Sequence, residues 1–188
     1  MRKRFKRLKN AGLSRRQRAV KRLLTLPPGV LRALNGGSVV VAGQRLDPAL
    51  AVLCRFANRR ARLHRLEPAA ARRRLRGLSA LMPTALPLMD RVEDRRIPGP
   101  GGPLAIRVYT PADLRRRPPA LVYFHGGGWV VGDLESSDAF CRLIAGQIPC
   151  RVISVDYRLA PEHPYPAAVE DAVASFRWSW RHADELGV

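Results

Sequence analysis

Ala120-Leu121-Val122-Tyr123-Phe124-His125-Gly126-Gly127-Gly128-Trp129 is the stretch that decides the fold. A five-residue apolar run stopped by a glycine cluster has the length of a buried strand and is too short for a helix. The run passes directly into three glycines, and only glycine lets a backbone approach a reacting group with no Cβ in the way. A strand that delivers such a loop presents bare N–H groups to the oxyanion that develops on a carbonyl during acyl transfer. One stretch therefore predicts both a strand and the electrophile-stabilising part of an active site.

Outward from this stretch, periodicity predicts a helix over Ser136–Gln147, a strand over Arg151–Asp156 and, after a Pro-rich loop, one long helix from about Ala167 to Glu185. Upstream, Arg91–Ile97 and Leu104–Tyr109 flank Pro98-Gly99-Pro100-Gly101-Gly102-Pro103, the pattern of an antiparallel hairpin. Strands alternating with helices of this size predict an α/β fold with a parallel sheet, opened here by a hairpin. Ahead of the hairpin, Asp47 as N-cap and Pro48 as first helical residue open a helix over about 48–64, with Leu50, Leu53, Cys54, Ala57 and Ala61 at helical spacing. A second helix starts near Glu67-Pro68 and runs through Ala71, Leu75 and Leu78 towards Leu81, before Pro83 and Pro87. Two short amphipathic helices ahead of a sheet predict a lid. The expected organisation is a basic extension over 1–46, cap helices over 47–88 and a sheet-bearing core over 89–188.

Composition agrees with a globular chain: 46% of the 188 residues are hydrophobic and 26% charged. The net charge of +19 is unevenly spread, since residues 1–46 hold 13 basic residues and no acidic one. The other 142 residues carry 21 basic against 15 acidic side chains, a net +6. Only four of the 34 basic residues are lysine, so a coding bias toward arginine accounts for part of the excess. Clustered Lys and Arg gain electrostatic energy near anionic lipid or nucleic acid. A solvated, frayed tail is the expected form of this basic start; peripheral contact with an anionic membrane through residues 1–46 is the alternative, ahead of nucleic acid. Cys54, Cys141 and Cys150 have neither disulfide-framework nor metal-ligand spacing and are expected as small buried residues. No apolar run reaches the roughly 18 residues that span a bilayer, and no secretory signal pattern follows the basic start, so a cytoplasmic, at most membrane-peripheral, setting is expected.

His125-Gly126-Gly127-Gly128-Trp129, Gly132-Asp133 and Asp156-Tyr157-Arg158-Leu159-Ala160-Pro161-Glu162-His163-Pro164-Tyr165-Pro166-Ala167-Ala168-Val169-Glu170-Asp171 together resemble the hormone-sensitive-lipase family of α/β-hydrolase esterases. The resemblance covers about residues 47–188 in order and spacing, with a weaker echo over 25–46. It implies the N-terminal part of an α/β-hydrolase sheet, with a carboxylic ester hydrolase activity on small acyl esters of short to medium chain. It implies no cofactor and no metal. Carried over by position, Gly127 and Gly128 are the oxyanion donors, Gly126 shapes the turn, and His125 anchors the loop through its side chain. Trp129 flanks the hole and lines the acyl pocket, or packs into the core. Asp133 holds the loop by hydrogen bonds, with Ser136 or Ser137 as an alternative N-cap of the next helix. Tyr157, Arg158 and Glu162 are expected to brace the glycine loop.

In α/β hydrolases the triad follows the chain order Ser, Asp or Glu, His, which implies that all three lie beyond the helix ending near Glu185. None of the eight serines has glycine at both −2 and +2; Ser38 has Gly36 before it but Val40 after it. His163 and His182 precede the expected nucleophile and are not its base. The 188 residues are expected to be inactive alone. Without the strand that pairs beside 120–124 in this fold, they are also expected to be aggregation-prone through an unpaired edge, or only partly ordered. Two other readings stand beside this one: a non-catalytic remnant, and a basic binding module acting through residues 1–46.

Overall fold

The computed structural model describes residues 5–7, 15–58, 63–80, 85–112, 114 and 117–188. They fall into two compact units, one formed by residues 10–81 and the other by residues 1–9 with 82–188. Strand β1 (Phe5–Arg7) opens the chain and belongs to the second unit.

The unit over residues 10–81 holds α1 (Arg15–Leu24), α2 (Pro28–Leu34), a ribbon of β2 (Val40–Val41) antiparallel to β3 (Gln44–Arg45), α3 (Pro48–Asn58), a 3-10 turn at Leu63–Arg65 and α4 (Pro68–Ser79). Helix α3 begins where the sequence predicts. Asp47 Oδ1 accepts from the N–H groups of Ala49 and Leu50 at 2.9 and 3.0 Å, and Pro48, which has no N–H to lose, takes the first helical position. The helix is described to Asn58 rather than 64; residues 59–62, Leu81 and Pro83 lie outside the described residues. Asn35 Nδ2 donates to the carbonyls of Leu31 and Pro48 at 3.0 and 3.2 Å, tying the end of α2 to the start of α3. Residue 47, where the extension and the cap are expected to meet, lies within the unit over residues 10–81. Cys54, expected to be buried, is exposed: α3 turns Ala51 and Val52 inward, and Cys54 lies off that face.

In the other unit β4 (Ala85–Pro87) pairs antiparallel with β1. There follow β5 (Met89–Gly99), β6 (Gly102–Pro111), β7 (Ala120–Phe124), α5 (Leu134–Gln147), β8 (Arg151–Asp156), α6 (Ala167–Arg181) and α7 (Ala183–Leu186). The main sheet has the order β5-β6-β8-β7, with the predicted hairpin β5–β6 at one side and β7 parallel to β8 at the other. Strand alternation sends Leu104, Ile106, Val108, Ile153 and Val155 to one face, where they pack with Tyr157 and Leu186. Tyr109 and Val152 face the other way and meet Cys141 and Ala145 of α5. Helices cover both faces, the α/β arrangement expected. Burial pushes the Cys141 thiol up to about 11, so it stays protonated as core packing.

Three details differ from expectation. Strand β7 is not fully buried: Ala120 and Phe124 are exposed and the three residues between are half-buried, since its outer edge meets no strand among the described residues. The helix expected over 167–185 is two, because His182 leaves helical geometry; its ring Nδ1 sits 2.8 Å from the Trp178 carbonyl, and the ring stacks on Trp178. Helix α6 also turns small and polar residues inward, burying Ala167, Asp171, Ser175 and Ser179 at four-residue spacing and leaving Val169, Val173, Phe176 and Trp180 exposed.

Candidate functional site

Strands β7 and β8 are parallel and adjacent, so the loops that follow them leave the sheet at the same end, where open α/β sheets bind ligands. The loop after β7 begins with His125, which is buried. Its ring stacks on that of Tyr157 from the other loop, with centroids 4.3 Å apart and planes at 15°. Tyr157 Oη donates to the His125 carbonyl at 2.6 Å. Burial, with Tyr123 nearby, pushes the Tyr157 phenol up from its ordinary value, so it keeps the proton it donates. His125 Nδ1 lies 3.0 Å from the Gly126 carbonyl. A carbonyl only accepts, so this bond requires a proton on Nδ1, and the buried Nε2 has no hydrogen-bond partner among the described residues.

Three glycines shape the loop: Gly127 at φ +139°, Gly128 at +59° and Gly132 at +111°. A Cβ on Gly127 would overlap the Val131 carbonyl, and one on Gly132 would overlap the His125 ring. The Gly127 carbonyl accepts from the N–H groups of Val130 and Val131 at 3.2 and 3.1 Å, closing a tight turn. The N–H groups of Gly127 and Gly128 donate to no acceptor among the described residues. Both glycines line a cleft of about 400 Å³ together with Phe124, Trp129, Tyr157 and Val173. Gly126, expected to shape the turn, has no positive φ and nothing within 4 Å of an added Cβ, so turn shaping falls to the other three. The steric role of Gly132 is not legible in the sequence, because the need for glycine there arises from the His125 ring.

Trp129 is 64% exposed at φ +61°, which places it on the cleft and not in the core. Its carbonyl accepts from the Ala160 N–H at 2.8 Å, a second tie between the two loops. Asp133 is the N-cap of α5: Oδ1 accepts from the Ser136 N–H at 2.7 Å, and Ser136 Oγ accepts from the Asp133 N–H at 2.9 Å. Ser136 and Ser137 are therefore not the cap; the first reciprocates it, and Ser137 Oγ donates to the Asp133 carbonyl at 2.9 Å.

Of the three residues expected to brace the glycine loop, Tyr157 does so directly. Arg158 braces helix α6 instead. Its Nε lies 3.0 and 2.9 Å from the two Asp171 carboxylate oxygens, its backbone N–H donates to Oδ2 at 2.9 Å, and Nη2 reaches Glu170 at 3.1 Å. Asp171 is 1% exposed, and a buried carboxylate requires this counter-charge, which takes Arg158 away from the loop. Glu162 lies exposed in the turn after Ala160.

Residues 121–188 match the family model for the alpha/beta hydrolase fold. Carboxylic ester hydrolase LipN of Mycobacterium tuberculosis is 42% identical over 177 residues, which are 89% of this chain and 46% of that protein. Carboxylesterase NlhH of the same organism is 46% identical over 118 residues, 62% of this chain and 36% of its own length. Among solved structures, a hyperthermophilic esterase from the archaeon Pyrobaculum calidifontis aligns with a TM-score of 0.64 at 42% identity, over 73% of this chain and 44% of that one. An ester hydrolase from the metagenome of Lake Arreo aligns with a TM-score of 0.68 at 37% identity, over 74% and 45% of the two chains. The chain spans less than half the length of these relatives.

Proposed function

We propose that the chain belongs to the hormone-sensitive-lipase family of α/β-hydrolase esterases and supplies the oxyanion-stabilising half of a carboxylic ester hydrolase. The observation that carries this reading is the pair of N–H groups on Gly127 and Gly128 at the cleft, unbonded among the described residues. In the reaction a serine oxygen adds to the ester carbonyl and the carbonyl oxygen becomes an anion. The two N–H groups hold that anion while the alcohol leaves and an acyl-enzyme forms; water then releases the acid. One such donor is worth about 2.7–4 kcal/mol of transition-state stabilisation. His125 and Tyr157 fix the loop, while Trp129, Phe124 and Val173 give the cleft an apolar wall suited to a short or medium acyl chain. Small acyl esters are thus the proposed substrates.

These 188 residues contain no Gly-x-Ser-x-Gly, and an oxyanion hole without a nucleophile and base has little to stabilise. The proposed consequence is that they do not turn over an ester alone. Two proteins test the reading: the 188-residue chain, and the same chain joined ahead of the remainder of LipN, both assayed with p-nitrophenyl butyrate. The fused protein is expected to hydrolyse the ester and the chain alone to do nothing above buffer. A silent fused protein that is folded by circular dichroism contradicts the proposal, and so does strong hydrolysis by the chain alone.

A further inference from the structure

We propose that the segment over residues 15–50 docks on an anionic lipid surface, with Val40 and Val41 entering the interface while exposed arginines of the segment rest on the headgroups. The proposal is independent of the ester-hydrolase reading, since it uses no residue of the cleft.

Charge identifies the kind of surface. The first acidic residue of the chain is Asp47, after 13 basic ones, and its carboxylate is engaged in capping α3. Arg15, Arg22, Arg32 and Arg45 are exposed, and a cluster of this density with no intervening acid is drawn to an anionic leaflet. Charge alone does not separate lipid from nucleic acid; the apolar side chains do. The β2–β3 ribbon turns through Ala42 at φ +49° and Gly43 at +77°, and the Leu46 N–H donates to the Val39 carbonyl at 2.9 Å, closing its base. This held, ordered ribbon leaves Val40 56% and Val41 65% exposed. Leu34 and Val30, one helical turn apart on α2, are exposed as well. Water disfavours exposed branched apolar side chains, and a lipid interface rewards burying them.

Nucleic acid fits less well. Residues 15–50 contain no Phe, Tyr or Trp, so no base can stack on an aromatic ring there, and the valines would stay in water beside the phosphates. Stable attachment to a membrane takes two weak signals together, a short apolar insertion and a polybasic patch. This segment holds both.

The test is vesicle flotation of the 188-residue chain, in which bound protein rises and aggregates sink, with vesicles of phosphatidylcholine alone or equimolar with phosphatidylglycerol. Binding to the anionic vesicles is expected to be at least about tenfold tighter, as the loss of a few Lys or Arg contacts requires. Arg15→Gln with Arg22→Gln and Arg45→Gln weakens it about tenfold or more, and raised salt does the same to the unaltered chain. Val40→Asp with Val41→Asp, on exposed positions, weakens it at every salt concentration. Val41→Trp reports insertion directly by a blue shift of emission, relative to the unaltered chain, on adding anionic vesicles. Equal binding to both vesicle types, undiminished binding by the aspartate variant, an unmoved tryptophan, or tighter retention of duplex DNA than of anionic vesicles at the same salt overturns the proposal.

Discussion

The loops that follow β7 and β8 leave neighbouring parallel strands at the same end of the sheet, yet they are built on opposite plans. The first turns its backbone outward: positive-φ glycines at 127, 128 and 132 bend it, and two of its N–H groups are left without an acceptor among the described residues. The second turns its side chains inward, with the Tyr157 hydroxyl on the His125 carbonyl, Arg158 on Asp171, and the Ala160 N–H on the Trp129 carbonyl. The difference shows how a backbone kept open for a ligand is held. Groups that must stay unbonded cannot stabilise their own loop, so its shape is set by the neighbour that faces it.

That contrast can be broken first at the second loop. Arg158→Ala leaves the Asp171 carboxylate buried without its partner and is expected to cost about 3–5 kcal/mol in the urea unfolding of the fused protein. A cost below about 1 kcal/mol would mean that the exposed-surface value applies and that this pair anchors nothing. Tyr157→Phe keeps the ring stack but leaves the His125 carbonyl without its donor, for about 1–3 kcal/mol. Because the group lost lies behind the loop, kcat of the fused protein is expected to fall while KM holds; a change confined to KM would place Tyr157 in substrate binding instead. The smallest effect is expected at Gly126. With no positive φ and open space around an added Cβ, Gly126→Ala is expected to leave the unfolding midpoint unchanged or to raise it, by at most about 1 kcal/mol. Destabilisation beyond about 1 kcal/mol would show that the turn depends on all three glycines of the motif.

Most of the scaffold was legible in the chain. The five-residue run at 120–124, the hairpin around Pro98–Pro103 and the cap at Asp47 are signals carried within a few residues, where chain order and local geometry coincide. The residues of the site were legible as a motif, but the division of labour among them was not. Which of Gly126, Gly127 and Gly132 must be glycine depends on where Val131 and His125 return in space, and chain order does not state that. The pairing of Arg158 with Asp171 is not legible, because Asp171 lies 13 residues on and declares itself only by its burial. The break at His182 rests on a ring bonded to a carbonyl four residues back, a local choice that helical periodicity overrides in any reading of the pattern.

The central claim, that the loop at 125–128 holds the oxyanion through its backbone, is tested most directly by kcat for p-nitrophenyl butyrate in the fused protein carrying Gly127→Ala. An added Cβ there would overlap the Val131 carbonyl and force the loop to move, so kcat is expected to fall about 100- to 1,000-fold, the loss typical of one missing oxyanion donor, while the protein stays folded. A folded Gly127→Ala protein with kcat within a factor of about three of the parent, less than 1 kcal/mol of barrier, contradicts the account.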